Sequence, residues 1–258
     1  MIKTIKNTFN RLGFDIIRFD NSIFKKTSNV EKPIYVEFLG AGGVGKTTLY
    51  NKARELQHSW VDKATFIRRL ETENSGYLEP IDNTLFYQEV IKRQLEIKSN
   101  ETSLLPSYRL ADLNMHFQIV WYDFLINKNN NYNIVGSDEG LLHFYGNAIV
   151  NTYKEVEDVR TLRNSLNNRK VIYCYCSPEV VAKRFYNRDS KRNVIKDWYK
   201  KHGKKSFEDI IESKKGEMAS KEPVLEVLEK YKVPVLRINT EHDLLDNAKK
   251  VIDFVNGK

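Results

Sequence analysis

Short runs of apolar residues alternate along the chain with longer stretches in which apolar residues recur every three or four positions. Short apolar runs bounded by polar residues are typical of β-strands, and the longer recurrence is typical of amphipathic helices. The strands predicted in this way are Ile34–Leu39, Ala64–Ile67, Asn133–Ser137, Val171–Cys176 and Val233–Ile238. Their alternation with helices predicts a parallel α/β sheet, and the largely apolar first run indicates a strand covered on both faces.

Helical periodicity is clearest in the stretches that follow these strands. A first helix carries apolar residues over Leu49–Leu56, and two long helices are predicted over Leu85–Lys98 and Tyr108–Asn127. In the second long helix, one stripe is predicted to be apolar: Leu110, Leu113, Phe117, Val120, Trp121 and Phe124. Ser177, followed by Pro and Glu, is typical of a helix start, and Thr240 is predicted to cap the last helix.

The composition is that of a globular protein, and it predicts one α/β domain with insertions. The 258 residues are 41% hydrophobic and 29% charged, so the chain can bury a core without disulfide or metal support. No run reaches about 18 consecutive apolar residues, and the first residues lack the apolar region of a secretory signal. Cys174 and Cys176 fit neither a disulfide framework nor a four-ligand zinc site, so a cytoplasmic protein is predicted.

Positive charge is concentrated in one window of the sequence. The chain carries 42 Lys and Arg against 34 Asp and Glu, a formal net charge of +8. The window Lys183–Lys205 alone contains 10 basic and 2 acidic residues. It favours either recruitment of a phosphorylated small molecule or a solvated helical face, and nucleic acid is the less favoured partner.

A glycine-rich motif follows the first predicted strand and matches the P-loop pattern G-x-x-x-x-G-K-[ST] at every fixed position. The motif consists of Gly40, Ala41, Gly42, Gly43, Val44, Gly45, Lys46, Thr47 and Thr48. Glycines allow a tight turn whose N–H groups approach phosphate oxygens, and the next helix points its positive end at the same anion. Lys46 can reach the β- and γ-phosphates of ATP, and the Thr47 hydroxyl can join the shell of Mg²⁺. The alternative is a glycine-rich turn without a ligand.

A second candidate site follows the third predicted strand. Asp138 and Glu139 come directly after the run Ile134–Ser137 and precede Gly140. An acid at the tip of a core strand beside a P-loop can hold Mg²⁺, which is the predicted role of Asp138. Glu139 is predicted to be either a second Mg²⁺ partner or the base that accepts a proton from a substrate hydroxyl. The alternative for both is a loop acid that caps the following helix.

A basic segment follows the fourth predicted strand. Lys183, Arg184, Arg188 and Arg192 recur at about helical spacing, so several of them can face one side. Arginine clamps phosphates with two parallel hydrogen bonds and stabilises a phosphoryl group during its transfer. The alternative is a basic helix that faces solvent.

Taken together, these motifs resemble the P-loop kinases of small molecules, in particular thymidylate kinase and the deoxynucleoside kinases. The resemblance covers roughly residues 33–256. It implies a three-layer P-loop NTPase fold with a five-stranded parallel sheet, helical acceptor and lid insertions, ATP and Mg²⁺ at the donor site, and a mobile lid at about residues 183–220. It also implies that Arg184 and Arg188, with Arg192, contact the donor phosphates.

The acceptor is less well defined by this resemblance. Glu79-Pro80 resembles the Glu-Pro pair whose acid contacts the acceptor in those kinases, and Tyr108 and Arg109 lie in a stretch where acceptor pockets form. However, the third strand is followed by Asp138-Glu139-Gly140, without the arginine that accompanies an acid there in these relatives. A nucleoside or nucleotide, a sugar, a lipid-linked sugar or another alcohol therefore remain alternative acceptors.

Residues 1–32 are predicted to be an N-terminal extension, with residues 33–258 as the kinase domain. Ile2, Ile5, Phe9 and Leu12 recur at helical spacing with basic residues between them. Such a segment can lie on an anionic membrane surface or dock on the kinase domain. The string at 12–18 resembles the start of some bacterial cell-envelope polysaccharide enzymes, so a kinase for an envelope sugar or lipid-linked glycan, peripheral at the inner membrane face, is an alternative.

Other P-loop classes fit the sequence less well. The GTPase patterns D-x-x-G and N-K-x-D and the transporter signature L-S-G-G-Q do not occur. A P-loop ATPase and a scaffold that only holds ATP remain alternatives to a kinase. No oligomeric state is predicted, and a homodimer is one option.

Overall fold

The computed structural model describes residues 34–73, 84–99, 106–128, 134–155, 166, 169–190 and 207–258. In chain order the elements are β1 (Ile34–Leu39), α1 (Lys46–Leu56), β2 (Val61–Asp62), α2 (Lys63–Glu73), α3 (Thr84–Ser99), α4 (Pro106–Lys128), β3 (Ile134–Ser137), α5 (Leu141–Glu155), β4 (Arg169–Tyr175), α6 (Pro178–Ser190), α7 (Phe207–Ala219), α8 (Glu222–Lys230), β5 (Val235–Asn239) and α9 (Leu244–Asn256). The predicted N-terminal extension, Glu79 and Arg192 lie outside the described residues.

The strands form a five-stranded parallel sheet in the order β2-β3-β1-β4-β5. Successive side chains of a strand point to opposite faces, and the two apolar clusters follow this rule. Leu39, Val171 and Tyr173 pack on one face with residues of α3, α4, α5 and α8. Phe38 and Ile172 pack on the other face with residues of α1 and α9. The three-layer α/β fold predicted from the sequence is therefore confirmed, and the loop after β1 lies at the centre of the carboxyl edge of the sheet.

The prediction for the second strand was wrong. Ala64–Ile67 lies inside α2, and the strand is the two-residue β2, which pairs with Val135 and Gly136 of β3. Asp62 ends this strand and starts the helix, because its carboxylate accepts hydrogen bonds from the backbone N–H of Thr65 at 2.9 Å and from its hydroxyl at 2.7 Å. A helix cap therefore overrides the apolar run that suggested a strand.

The prediction of an apolar stripe on α4 was also wrong in part. Phe117 and Trp121 are 48% and 45% exposed, whereas His116 and Asp123 are buried. The inward face of the helix is the one that carries these two polar residues. The Tyr145 hydroxyl donates to the carbonyl oxygen of His116 at 2.7 Å, so a polar contact anchors this face to α5.

A buried charged triad joins α4 to the centre of the sheet. Arg169 of β4 is paired with Glu37 of β1 and, at 2.8 Å, with Asp123 of α4. All three side chains are at most 2% exposed. The guanidinium also lies over the ring of Tyr35, 4.6 Å from its centre. Burying a single charge is costly, so each member of the triad requires the others.

Replacing Arg169 by methionine is expected to lower the free energy of unfolding by about 3–5 kcal/mol, because Glu37 and Asp123 would stay buried without their counter-ion. Urea unfolding of the full chain measures this loss. The control is Arg237→Met on the neighbouring strand β5. Its partners Glu229 and Glu222 lie at 3.1 and 3.7 Å, and both are more than half exposed. A surface pair contributes at most about 1 kcal/mol, so equal losses in the two variants would contradict the role of the triad.

Candidate phosphate and nucleotide site

The P-loop connects β1 to α1, and its shape explains why glycines occupy it. Gly40, Gly43 and Gly45 have φ values of +147°, +91° and +106°, which residues with a side chain rarely adopt. At Gly40 a Cβ would also collide with the carbonyl oxygen of Cys174 on β4. These three glycines are thus required by the backbone, independently of any ligand.

Lys46 lies beneath this loop at the start of α1. Its Nζ donates to the carbonyl oxygens of Gly40 at 2.9 Å and Ala41 at 3.2 Å, and the residue is 4% exposed. Burial lowers the pKa of Lys46, while the nearby charges of Glu139 and Glu217 oppose that shift. An ammonium has three donors, so beyond these two acceptors among the described residues one N–H remains for a phosphate oxygen.

Thr47 and Asp138 are brought together as the sequence predicts. The Thr47 hydroxyl, in the first turn of α1, donates to Oδ2 of Asp138 at the end of β3, at 2.7 Å. Hydroxyl and carboxylate oxygens are the ligands that Mg²⁺ takes beside a nucleotide, so this pair fits the cation implied by the motif.

The loop after β3 is held from both sides. The carbonyl oxygen of Glu139 accepts hydrogen bonds from the Ser137 hydroxyl at 2.6 Å and from Nζ of Lys63 at 2.9 Å. A Cβ at Gly140 would lie only 2.6 Å from the carboxyl carbon of Glu37, which explains the glycine there. These contacts position Asp138 and leave the Glu139 side chain about half exposed.

The helix that follows this loop is capped by Glu37. Its Oε1 accepts the backbone N–H groups of Leu142 at 2.7 Å and His143 at 3.3 Å, at the start of α5. The alternative in which Asp138 or Glu139 caps this helix is therefore not the arrangement in the structure. Glu37, whose role sequence reasoning missed, links the buried triad to the site.

One cavity of about 690 Å³ joins the P-loop to the loop after β5. Its volume is within the range of small-molecule sites. It is lined by Gly42, Gly43, Gly45, Lys46, Thr47, Thr48, Leu49, Glu139, Arg184, Thr240, His242, Leu244 and Asn247.

Arg184 of α6 lines this cavity and ties its two walls together. The guanidinium donates to the carbonyl oxygen of Val44 at 3.0 Å and to the hydroxyl and carbonyl oxygens of Thr240 at 3.1 and 3.0 Å. Its contact with donor phosphates stays a prediction, as does that of Arg188, whose backbone lies in α6 and whose side chain is outside the described residues.

The cap of the last helix differs from the prediction. Asp243 caps α9 by accepting the N–H groups of Leu245 and Asp246 at 2.9 and 3.0 Å. Thr240 is instead part of the cavity wall, since its hydroxyl donates to the carbonyl oxygen of Val44 at 2.6 Å. The prediction of Thr240 as the cap was therefore wrong, because its hydroxyl contacts the P-loop while Asp243 lies at the helix start.

Two residues of α7 lie at the P-loop and were missed by sequence reasoning. The Gly42 N–H donates to Oε1 of Glu217 at 2.6 Å, and Nζ of Lys214 donates to Oε2 at 2.7 Å. Burial acts to raise the pKa of Glu217, but these two hydrogen bonds hold it below its ordinary value. The sequence indicates this pair only by the i, i+3 spacing of two opposite charges. That spacing is common on solvent-facing helices and does not predict a contact with the P-loop.

His143 and Lys221 lie nearby at the start of α5 and between α7 and α8. Nζ of Lys221 donates to the carbonyl oxygen of His143 at 3.3 Å. Burial, helped by the charges of Lys46 and Lys221, lowers the pKa of His143 to about 3, so the ring is neutral at physiological pH. Burial also lowers the pKa of Lys221, against the nearby charge of Glu217.

No protein-family model matches the chain, and no curated protein matches its sequence. The chain is similar to solved structures of kinases. Deoxyadenosine kinase from M. mycoides with bound dCTP shares 14% identity, with a TM-score of 0.43 over 87% of this chain and 100% of that one. Shikimate kinase from Acinetobacter baumannii in complex with shikimate shares 15% identity, with a TM-score of 0.39 over 88% of this chain and 95% of that one.

Neither likeness assigns an activity to this chain. Of the residues predicted to contact the acceptor, Tyr108 and Arg109 lie in the first turn of α4, and their side chains are not among those that the structure describes. In the part of the chain that the structure describes, no helix is long and apolar enough to cross a membrane.

Proposed function

We propose that the chain is an ATP-dependent phosphotransferase that moves the γ-phosphoryl group to a hydroxyl of a small molecule. The observation that carries this proposal is the arrangement of Lys46, Thr47 and Asp138 at the P-loop. A buried ammonium lies under the loop, and a hydroxyl–carboxylate pair lies at the start of the next helix. Lys46 and Thr47 line the cavity, and residues of the loop after β5 line its other side.

In the proposed reaction, the amides of Gly42–Thr48 bind the phosphates and Lys46 neutralises their charge. Thr47 and Asp138 would hold Mg²⁺, which offsets charge on the β- and γ-phosphate oxygens when bound. The acceptor oxygen forms a bond to the γ-phosphorus, the bond from that phosphorus to the bridging oxygen of ADP breaks, and the hydroxyl proton passes to Glu139. The predicted lid carries Arg184, Arg188 and Arg192, which would stabilise the γ-phosphoryl group during its transfer.

The position of Glu139 supports binding of the acceptor at the end of the cavity next to the loop after β3. Its side chain lines the cavity and is exposed, while its backbone is fixed by Ser137 and Lys63. A fixed backbone with an accessible carboxylate is suited to a base that must meet a diffusing hydroxyl. Glu79, Tyr108 and Arg109 are proposed to contact the rest of the acceptor.

A transfer assay tests the proposal. The full chain is incubated with Mg²⁺ and ATP or GTP labelled at the γ-phosphate, in separate reactions with nucleosides, nucleoside monophosphates, sugars and a lipid-linked glycan. We expect label on one acceptor class and one ADP or GDP formed for each label transferred. Release of labelled phosphate alone would show an ATPase, and nucleotide binding without turnover would show a scaffold; either result would overturn the proposal.

A further inference from the structure

A carboxylate of the chain itself lies on the phosphate-binding loop. Oε1 of Glu217 accepts the N–H of Gly42 at 2.6 Å. The N–H groups of such loops bind phosphate oxygens, so a carboxylate oxygen here takes the place of an anion that the loop is built to hold. A Cβ on Gly42 would meet both Oε1 of Glu217 and Nζ of Lys214 at 3.5 Å, so both groups stand over this residue.

Lys214 is held in the same place by Glu217 and Phe185. Its Nζ donates to Oε2 of Glu217 at 2.7 Å and lies 4.3 Å from the ring centre of Phe185 on α6. The residue is 8% exposed, which is unusual for a lysine on a helix. Phe185 also packs on the loop, since a Cβ on Gly43 would lie 3.5 Å from its Cβ. The ammonium is therefore confined between α6, α7 and the P-loop.

The position of Glu217 relative to Lys46 indicates which phosphate it would meet. Nζ of Lys46 donates to the carbonyl oxygen of Ala41 at 3.2 Å, and the Gly42 N–H that Glu217 accepts belongs to the same peptide group. The P-loop lysine reaches the β- and γ-phosphates, so Glu217 lies at that end of the site. A carboxylate and a phosphate oxygen cannot both accept the Gly42 N–H without strong repulsion between their charges.

We propose that Glu217 holds the place of a γ-phosphate oxygen in the nucleotide-free protein, and that ATP displaces it and frees Lys214 to contact the γ-phosphoryl group. This proposal rests on the proposed function, in that the loop binds a nucleoside triphosphate. ADP lacks the competing oxygen and leaves the Lys214–Glu217 pair in place. Helix α7 thereby distinguishes a triphosphate from a diphosphate, and Lys214 joins the catalytic residues.

The same helix offers a matched control. Lys215 and Glu212 form an ion pair with the same three-residue separation, at 3.4 Å, on the solvent face of α7, where both side chains are more than half exposed. Glu217→Gln and Lys214→Met are therefore compared with Glu212→Gln and Lys215→Met. Calorimetry measures the affinity of each full-length protein for a non-hydrolysable ATP analogue and for ADP, both with Mg²⁺.

Glu217→Gln is expected to bind the ATP analogue about tenfold more tightly than the wild-type protein, with ADP affinity changed much less, because the competing charge is gone. Glu212→Gln is expected to change neither affinity. Glu217→Asp, which keeps the charge on a shorter side chain, should shift the ratio of the two affinities in the same direction, and it serves if the glutamine variant does not fold. An unchanged ratio in both Glu217 variants overturns the proposal.

Lys214→Met is expected to lower the rate of phosphoryl transfer about 100-fold with little change in ADP affinity, and Lys215→Met is expected to leave both unchanged. Equal rates in these two variants overturn the role of Lys214. The binding measurement separates the two proposals. If Glu217→Gln gains affinity for the ATP analogue and no acceptor is phosphorylated, only the phosphotransferase proposal fails. If transfer occurs and the affinity ratio does not move, only the Glu217 proposal fails.

Discussion

Replacing Lys46 by methionine is expected to lower the rate of phosphoryl transfer by about 10²–10³-fold, the range found when one charged or polar stabiliser of a transition state is removed. Methionine keeps most of the buried stem, so the packing of a residue that is 4% exposed is retained. What is lost is the ammonium, which the carbonyls of Gly40 and Ala41 hold in place before nucleotide binds. Initial rates with the acceptor found in the transfer assay measure the effect.

The control for this variant lies on the same helix. Lys52 is paired with Glu55 at 3.1 Å on the outer face of α1, so Lys52→Met is expected to leave the rate unchanged. Thermal unfolding of both variants shows whether the fold is intact. A Lys46→Met protein that is folded and still transfers phosphate at the wild-type rate would contradict the assignment of the loop as the donor site.

Replacing Asp138 by asparagine, or Thr47 by valine, is expected to raise the Mg²⁺ concentration needed for half-maximal turnover by about 10–100-fold. The two side chains meet at 2.7 Å although they are 91 positions apart in the chain, and each substitution removes one oxygen or its charge from that pair. Because either change weakens the same pair, the double variant is expected to lose less than the product of the single losses. Mg²⁺ titrations of the transfer rate measure these shifts.

The nucleotide itself provides the control for the metal variants. In EDTA no Mg²⁺ is present, so both variants are expected to bind ADP as the wild-type protein does under the same conditions. A loss of metal-free ADP affinity with an unchanged Mg²⁺ titration would mean that Thr47 and Asp138 shape the loop and do not hold the cation.

Local patterns in the sequence predicted the parts of the protein whose structure depends on neighbouring residues. The strand Ile34–Leu39, the P-loop after it and the helix after that were all confirmed, because glycine conformation and apolar runs act over a few residues. Asp138 was placed correctly at the end of β3, because the carboxyl ends of parallel strands lie at the same edge of the sheet.

The wrong strand at Ala64–Ile67 was a local error, because Asp62 caps α2 by accepting hydrogen bonds from Thr65, three positions later. The other two wrong predictions originate in contacts between distant residues. Asp123 lies on the inward face of α4 among buried apolar residues, because Arg169, 46 positions later in the chain, requires a buried carboxylate. Thr240 caps no helix because the carbonyl oxygen of Val44, almost 200 positions earlier, accepts its hydroxyl.

The sequence by itself therefore determined the fold class and the phosphate-binding loop, where the chemistry lies within nine consecutive residues. Only the tertiary structure decided that Glu37 caps α5, that Arg184 joins the two walls of the cavity, and that Glu217 and Lys214 lie on the loop. These contacts join residues between 56 and 175 positions apart, except for the Lys214–Glu217 pair itself. The local sequence does not distinguish a charged helix residue that faces solvent from one that faces a phosphate site, because burial is a property of the folded chain.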